Sequence, residues 1–240
     1  MESIYIHPDI QTLLSQSRKT DYSGIYCNKR PFVSKDKPFL IILTGPSGSG
    51  KTTFRDALSG TVQYATTATS RSRRDGEPEE AYIWMSPPRG EAEDIEAYRT
   101  LLVKKYELLE SNEHAGNIYG LPKSSLEASL AKGDTLVAIE NNGARALSEL
   151  LVDKANIIVF FILPDNYEQL RERIGSSRNE LERRLQIAEK EITTSQEVTH
   201  YYLHNTASNL YSGQEDEPLK RTTQSIQTCI ASLRRFISIC

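Results

Sequence analysis

Residues 45–52 read GPSGSGKT, which fills every fixed position of a GxxxxGK[ST] phosphate-binding loop. Gly45, Gly48 and Gly50 let main-chain N–H groups converge on phosphate oxygens, with Pro46, Ser47 and Ser49 between them. Lys51 brings a full positive charge to the outer phosphates. Thr52 offers a hydroxyl to the magnesium ion that accompanies a nucleoside triphosphate, and Thr53 extends the same turn. A second group of cations follows in Thr67-Ala68-Thr69-Ser70-Arg71-Ser72-Arg73-Arg74-Asp75-Gly76-Glu77, with Tyr82 shortly after. Guanidinium forks hold phosphate oxygens bidentately, and a phenol can complete the cage. Taken alone such a run is more commonly a solvated surface. The phosphate loop itself points to a nucleotide without fixing the reaction, because such loops serve kinases, hydrolases, switches and inactive scaffolds alike, and the arginine run gains weight only from the stretch that follows.

A third stretch, Glu110-Ser111-Asn112-Glu113-His114-Ala115-Gly116-Asn117-Ile118-Tyr119-Gly120, places a glutamate ahead of a G-N-x-Y-G turn. With the phosphate loop and the R-x-x-R-x-G-E run of Arg71 to Glu77 in the same order, the chain resembles the guanylate kinases from about residue 39 to residue 205. The resemblance implies that Arg71, Arg74, Tyr82 and Tyr119 cage the monophosphate of an acceptor nucleotide. It implies that Glu110 accepts hydrogen bonds from the guanine edge, that Thr67 meets the base, that Glu77 helps hold this lobe, and that Gly120 belongs to the acceptor turn. Arg173 and Arg184 match the lid arginines, with Arg178 a third candidate, and Asn205 falls where an asparagine meets adenine. Without the resemblance, the arginines between residues 167 and 194 read as solvent-facing helix cations beside Glu172, Glu180 and Glu182. Tyr82 and Tyr119 read equally well as half-buried packing residues.

Three departures stand out. Where the guanylate kinases carry D-x-D, this chain has Ala138-Ile139-Glu140. Glu140 keeps a carboxylate for magnesium, together with Thr52, but Ala138 cannot accept a hydrogen bond from a guanine amino group. Such a loss costs about 1 to 3 kcal/mol. Leu121 replaces an expected hydroxyl residue after the Tyr-Gly pair, and the lid between Arg173 and Arg184 is about four residues shorter than usual. Phosphate recognition is therefore better preserved than base recognition.

These residues must be held by an α/β framework. Phe39 to Leu43, Thr135 to Ile139 and Asn156 to Leu163 are continuous apolar runs of the kind buried parallel strands show, and helical patterns follow them. The expected fold is a P-loop NTPase: a parallel sheet flanked by helices, an inserted acceptor-binding lobe and a short helical lid. The core is expected at 38–65, 123–172 and 185–240, the lobe at 66–122 and the lid at 173–184. Within the lobe, Asp94 to Glu110 reads as one amphipathic helix carrying Ile95, Tyr98, Leu101, Leu102 and Leu109. Tyr167 to Ile174 and Glu180 to Thr194 read as helices about a Gly175-Ser176-Ser177 hinge. Residues 1–37 read as an extension or flexible arm, and residues 212–218 as an exposed loop before a last helix ending near Cys240.

Composition limits the partners. A net charge of -3, with both signs interspersed, lacks the basic excess of a nucleic-acid binder. No apolar run reaches the roughly 20 residues of a membrane span, and the first residues lack a signal or transit pattern, so a cytoplasmic location is expected. Cys27, Cys229 and Cys240 are odd in number and widely spaced, which suits reduced thiols rather than a disulfide framework or zinc site. The resemblance implies small nucleotides as partners: ATP with magnesium as the phosphoryl donor, and a nucleoside monophosphate, GMP or dGMP, as acceptor. Two other readings stay open on sequence: a kinase for another phosphate-bearing acceptor, such as the ribose bisphosphate kinases, and a non-catalytic module that binds a partner through the acceptor groove.

Overall fold

The computed structural model describes residues 8–22, 24–86, 94–114, 116–164, 166–174, 178–205 and 217–237. Its centre is β10 (Asn156–Pro164), a strand buried at every position, as an apolar run of Ile, Val, Phe and Leu must be when both faces are covered. It pairs in parallel with β3 (Phe39–Thr44) and β11 (Tyr201–Asn205); β3 continues in parallel to β9 (Thr135–Ala138), and β9 to the short β4 (Gln63–Tyr64). Helices α2 (Lys51–Leu58) and α8 (Glu217–Ile237) lie on one face, where Phe54, Leu58, Ile226 and Ile230 pack against Ile41, Leu43, Ile158 and Phe160. Helices α4 (Lys123–Leu130) and α5 (Asn141–Leu150) cover the other, where Leu126, Ala144 and Leu147 meet Leu40, Ile42 and Val159.

The opening stretch is not an arm over residues 8–27. Helix α1 (Pro8–Gln16) buries Ile10 and Leu13 against Phe161, Leu163, Ile192 and Tyr202. Strand β2 (Ile25–Cys27), joined to β1 (Arg18–Lys19), pairs antiparallel with β11, matching Cys27 to Tyr201 and Ile25 to Leu203. The alternation of buried Ile25 and Cys27 is the reason: it supplies an apolar face and covers an edge that β11 would otherwise expose. The full order is β1-β2-β11-β10-β3-β9-β4.

A second sheet, β6-β5-β8-β7, is built from chain between β4 and β9: β5 (Ala68–Thr69), β6 (Ile83–Trp84), β7 (Leu108–His114) and β8 (Asn117–Pro122). Helix α3 (Ile95–Tyr106) packs Leu102 against Ala68, Met85, Leu108 and Ile118. The helix expected over 94–110 thus stops early. Asp94 caps its start by accepting from the Ala97 N–H at 2.8 Å, but Glu107 turns left-handed at φ 47°, and the next residues, Glu110 among them, become strand. Helices α6 (Tyr167–Ile174) and α7 (Arg178–Thr193) flank residues 175–177; that candidate hinge lies outside the described residues, as do Cys240 and residues 212–216. Cys27 and Cys229 are free thiols in the core. Among the described residues no helix is long and apolar enough to cross a membrane.

Candidate active site

A cavity of about 500 Å³ lies between the loop after β3 and the small sheet. The chain leaves β3 at Thr44 and turns through residues 45–50 into α2, so the loop's amides gather at a helix N-terminus. Gly45, at φ 137°, is required twice over: a Cβ there would lie 2.7 Å from the Ile162 carbonyl oxygen. The Lys51 ammonium donates to the Gly45 carbonyl and, at 3.1 Å, to that of Pro46. Burial lowers its pKa, while Glu191 and Glu140 oppose the shift. Arg173 donates to the Gly48 carbonyl at 3.2 Å and Arg184 to the Ser47 hydroxyl, so both predicted lid arginines reach the loop from α6 and α7. Arg178 opens α7, and its side chain lies outside the described residues.

Pro46, Ser47, Gly48, Gly50, Lys51, Thr52 and Thr53 all line the cavity. Gly45, Ser49 and Asn205 do not. Asn205, expected to meet adenine, is fully buried at the end of β11 and donates to the Ser49 carbonyl at 2.7 Å, so in this structure it props the loop from behind. A strand-end asparagine next to a tight loop finds a main-chain partner more readily than it remains open to a ligand.

On the opposite wall, Arg71 is held by Glu77 through two bonds of 2.8 and 2.6 Å, and Glu77 also accepts from the Arg74 N–H at 3.1 Å. The pairing lowers the Glu77 pKa to about 2 and raises that of Arg71. Arg71 sits 5.2 Å from the Tyr82 ring centroid and 5.4 Å from that of Trp84, which limits its swing to the cavity side. The Tyr82 and Tyr119 rings meet edge to face at 6.4 Å. Arg71, Arg74, Tyr82, Tyr119 and Thr67 line the cavity; Glu77 stands behind as the clamp.

Farther along this wall, Glu110 lines the cavity from β7. Burial first, then the nearby Glu140, pushes its pKa up to about 7, with Arg99 acting the other way. Arg99 is engaged by Ser111, bonding its hydroxyl and its carbonyl at 2.9 Å each. Two glycines make room for this residue, one for its main chain and one for its carboxyl. A Cβ on Gly120 would sit 2.6 Å from the Glu110 carbonyl oxygen, and one on Gly143, in the first turn of α5, 2.7 Å from Glu110 Oε2. Gly143 carried no signal beyond a helix-disfavouring residue inside a helical pattern. Of the two apolar departures, Ala138 lines the cavity, whereas Leu121 is fully buried with Leu126, Val137 and Ile139 and belongs to the core.

Glu140 precedes α5 and makes no side-chain cap bond to it, and it shares the cavity wall with Thr52 and Glu191. Burial pushes the Glu191 pKa up to about 7 against the pull of Lys51. Asn141 fixes this corner: its oxygen accepts from the Thr44 hydroxyl at 2.7 Å, and its amide donates to the Glu191 carbonyl at 2.9 Å. Among the described residues no three His, Cys, Asp or Glu side chains form a metal cage. A hydroxyl and a carboxylate facing a phosphate loop nonetheless suit magnesium, which takes one or two carboxylates and completes its shell with phosphates and water. Glu191, Asn112 and His114 also line the cavity and were not singled out from sequence, because polar residues on a charged helix or strand look solvent-facing.

The guanylate kinase family model matches residues 37–209. A guanylate kinase of Nostoc sp. is 36% identical over 176 residues, covering 68% of this chain and 82% of its own length. One of Prochlorococcus marinus is 33% identical over 203 residues, covering 81% of this chain and 100% of its own. The crystal structure of guanylate kinase from Anaplasma phagocytophilum superposes with a TM-score of 0.57 at 24% identity, covering 84% of this chain and 88% of that one, a likeness of fold. With these three motifs in order around one cavity, the chain belongs to the guanylate kinase family.

Proposed function

We propose that this protein transfers the γ-phosphoryl group of ATP to GMP, giving ADP and GDP. The observation that carries the reading is the single cavity walled on one side by the phosphate loop with Lys51, Arg173 and Arg184, and on the other by Arg71, Arg74, Tyr82, Tyr119 and Glu110. In this reading the loop amides and Lys51 hold the donor phosphates, and Thr52, Thr53 and the remaining loop residues shape their seat. Arg71, Arg74 and the two tyrosines hold the acceptor phosphate within reach of the transferred group. Glu110 and Thr67 orient the base. The lid segment 173–184 supplies Arg173 and Arg184, which already contact the loop and would spread charge as the bond to the leaving oxygen lengthens. Thr52 and Glu140 would hold magnesium, which supplies charge neutralisation on the phosphate oxygens when bound. These substrates are soluble, which supports a cytoplasmic location.

Initial rates of ADP formation with ATP and GMP, dGMP, AMP or UMP test the reading. The guanine acceptors should react fastest. Lys51→Ala should lower kcat/KM by about 10²-fold to 10³-fold with thermal unfolding unchanged. Equal rates in wild type and this variant would remove the site assignment.

A further inference from the structure

Three residues on one face of β7, Glu110, Asn112 and His114, point into the cavity, as alternate positions of a strand must. Asn112 pairs across to Tyr119 on β8, and its amide nitrogen donates to Glu110 Oε2 at 3.4 Å. It therefore stands between the base-reading carboxylate and the phosphate cage. We propose that Asn112 is a specificity-determining residue that, with Glu110, reads the exocyclic amino group of the acceptor purine. This rests on the guanine-nucleotide reading above and assigns the group that tells guanine from hypoxanthine.

An amino group on a ring has two hydrogens to place. Glu110 accepts one. The second needs another acceptor nearby, and the two positions where it would be sought along this wall are apolar: Ala138 presents a methyl, and Leu121 is turned into the core. Asn112 fills that need through its geometry. With its nitrogen turned to Glu110, its acceptor oxygen is the other branch of the same amide, on a side chain that lines the same cavity. The orientation follows from charge, since an amide oxygen turned toward a carboxylate oxygen would repel it. Hypoxanthine keeps the keto edge of guanine but lacks the amino group, so the pair discriminates against it by leaving Asn112 Oδ1 unmatched.

Binding of GMP and of IMP to the full chain by titration calorimetry, with initial rates alongside, tests the proposal. In Asn112→Ala the preference for GMP over IMP should fall about tenfold, with the change in GMP affinity and KM, and the KM for ATP unaltered. Asn112→Leu, closer in volume and equally without an acceptor, should behave the same way should the smaller side chain unsettle the sheet. A GMP to IMP ratio within twofold of wild type, or equal losses for both nucleotides, overturns the proposal and leaves Asn112 a packing residue. Wild-type protein that neither binds nor phosphorylates GMP overturns the guanylate kinase reading itself, and this one with it.

Discussion

At the Arg71 end of the acceptor wall, charge is paired before any substrate arrives: Glu77 grips the guanidinium twice, and two aromatic rings flank it. At the Glu110 end, a carboxyl is buried next to a second acid, bonded at long range by one amide, and its pKa has risen to about 7. The first arrangement is preorganised and insensitive to pH across the physiological range, because Glu77 and Arg71 both stay ionised. The second is poised to change protonation when a base with N–H donors enters. Phosphate recognition and base recognition on one small sheet are thus built on opposite electrostatic principles: prior pairing in one case, deferred pairing in the other.

The contrast breaks most readily at the paired end. Arg71→Met removes the guanidinium and leaves Glu77 without its partner, so kcat/KM for GMP should fall by about 10²-fold to 10³-fold in steady-state assays, with the KM for ATP little changed. A loss under threefold would mean that Arg71 serves the lobe's structure and not the acceptor phosphate.

Gly143→Ala tests the other end without touching a charge. The added methyl would crowd Glu110 Oε2, and KM for GMP should rise about tenfold or more, since small misplacements of a positioning group are costly. Thermal unfolding guards the interpretation. A purely local helix effect would stabilise α5, because alanine is favoured over glycine by up to about 1 kcal/mol in a helix.

A pH series gives the smallest effect and the sharpest contrast. Glu110 has a folded-state pKa near 7, above the ordinary carboxyl value, so below pH 7 it is largely protonated and offers fewer acceptor sites. KM for GMP should therefore drop a few-fold as pH rises from about 6 to 8. That dependence should be reduced in Glu110→Gln, which separates it from titration of the GMP phosphate itself. The same raised pKa costs the free protein stability as pH climbs from the ordinary carboxyl range through 7, because the folded state holds the proton more tightly than the unfolded chain. Wild type should accordingly lose more unfolding free energy than Glu110→Gln over that interval. Identical pH profiles would mean that the carboxyl titrates normally.

The framework was readable wherever burial is two-sided. Phe39–Thr44, Thr135–Ala138 and Asn156–Pro164 have no polar face, so their apolar runs are unambiguous, and the phosphate loop is a local motif set between the first of them and a helix. Short or polar elements were not readable. β7 runs LLESNEH, and its Leu109 fits the apolar spacing of the preceding helix, although the left-handed turn at Glu107 has already ended that helix. Strand β2, next to the sheet's edge, is only three residues long and gains its meaning from β11, some 175 positions away. Site residues followed the same division. Lys51, Arg71 and Tyr119 sit in local motifs, whereas Asn141, Gly143 and Glu191 matter only because the tertiary fold brings α5 and α7 to the cavity. Asn205 is placed by resemblance, and in the fold its amide nitrogen is taken by the loop it supports.

The central claim is that the ammonium and amides of the loop and the guanidiniums and phenols of the small sheet share one cavity. A single ligand spanning both, adenosine and guanosine joined through their 5′ oxygens by five phosphates, tests it by calorimetry against ATP and GMP separately. One ligand should bind per chain, at least about 10²-fold tighter than either nucleotide alone, and either nucleotide should displace it. Affinity no greater than that of ATP, with GMP unable to compete, would contradict the claim.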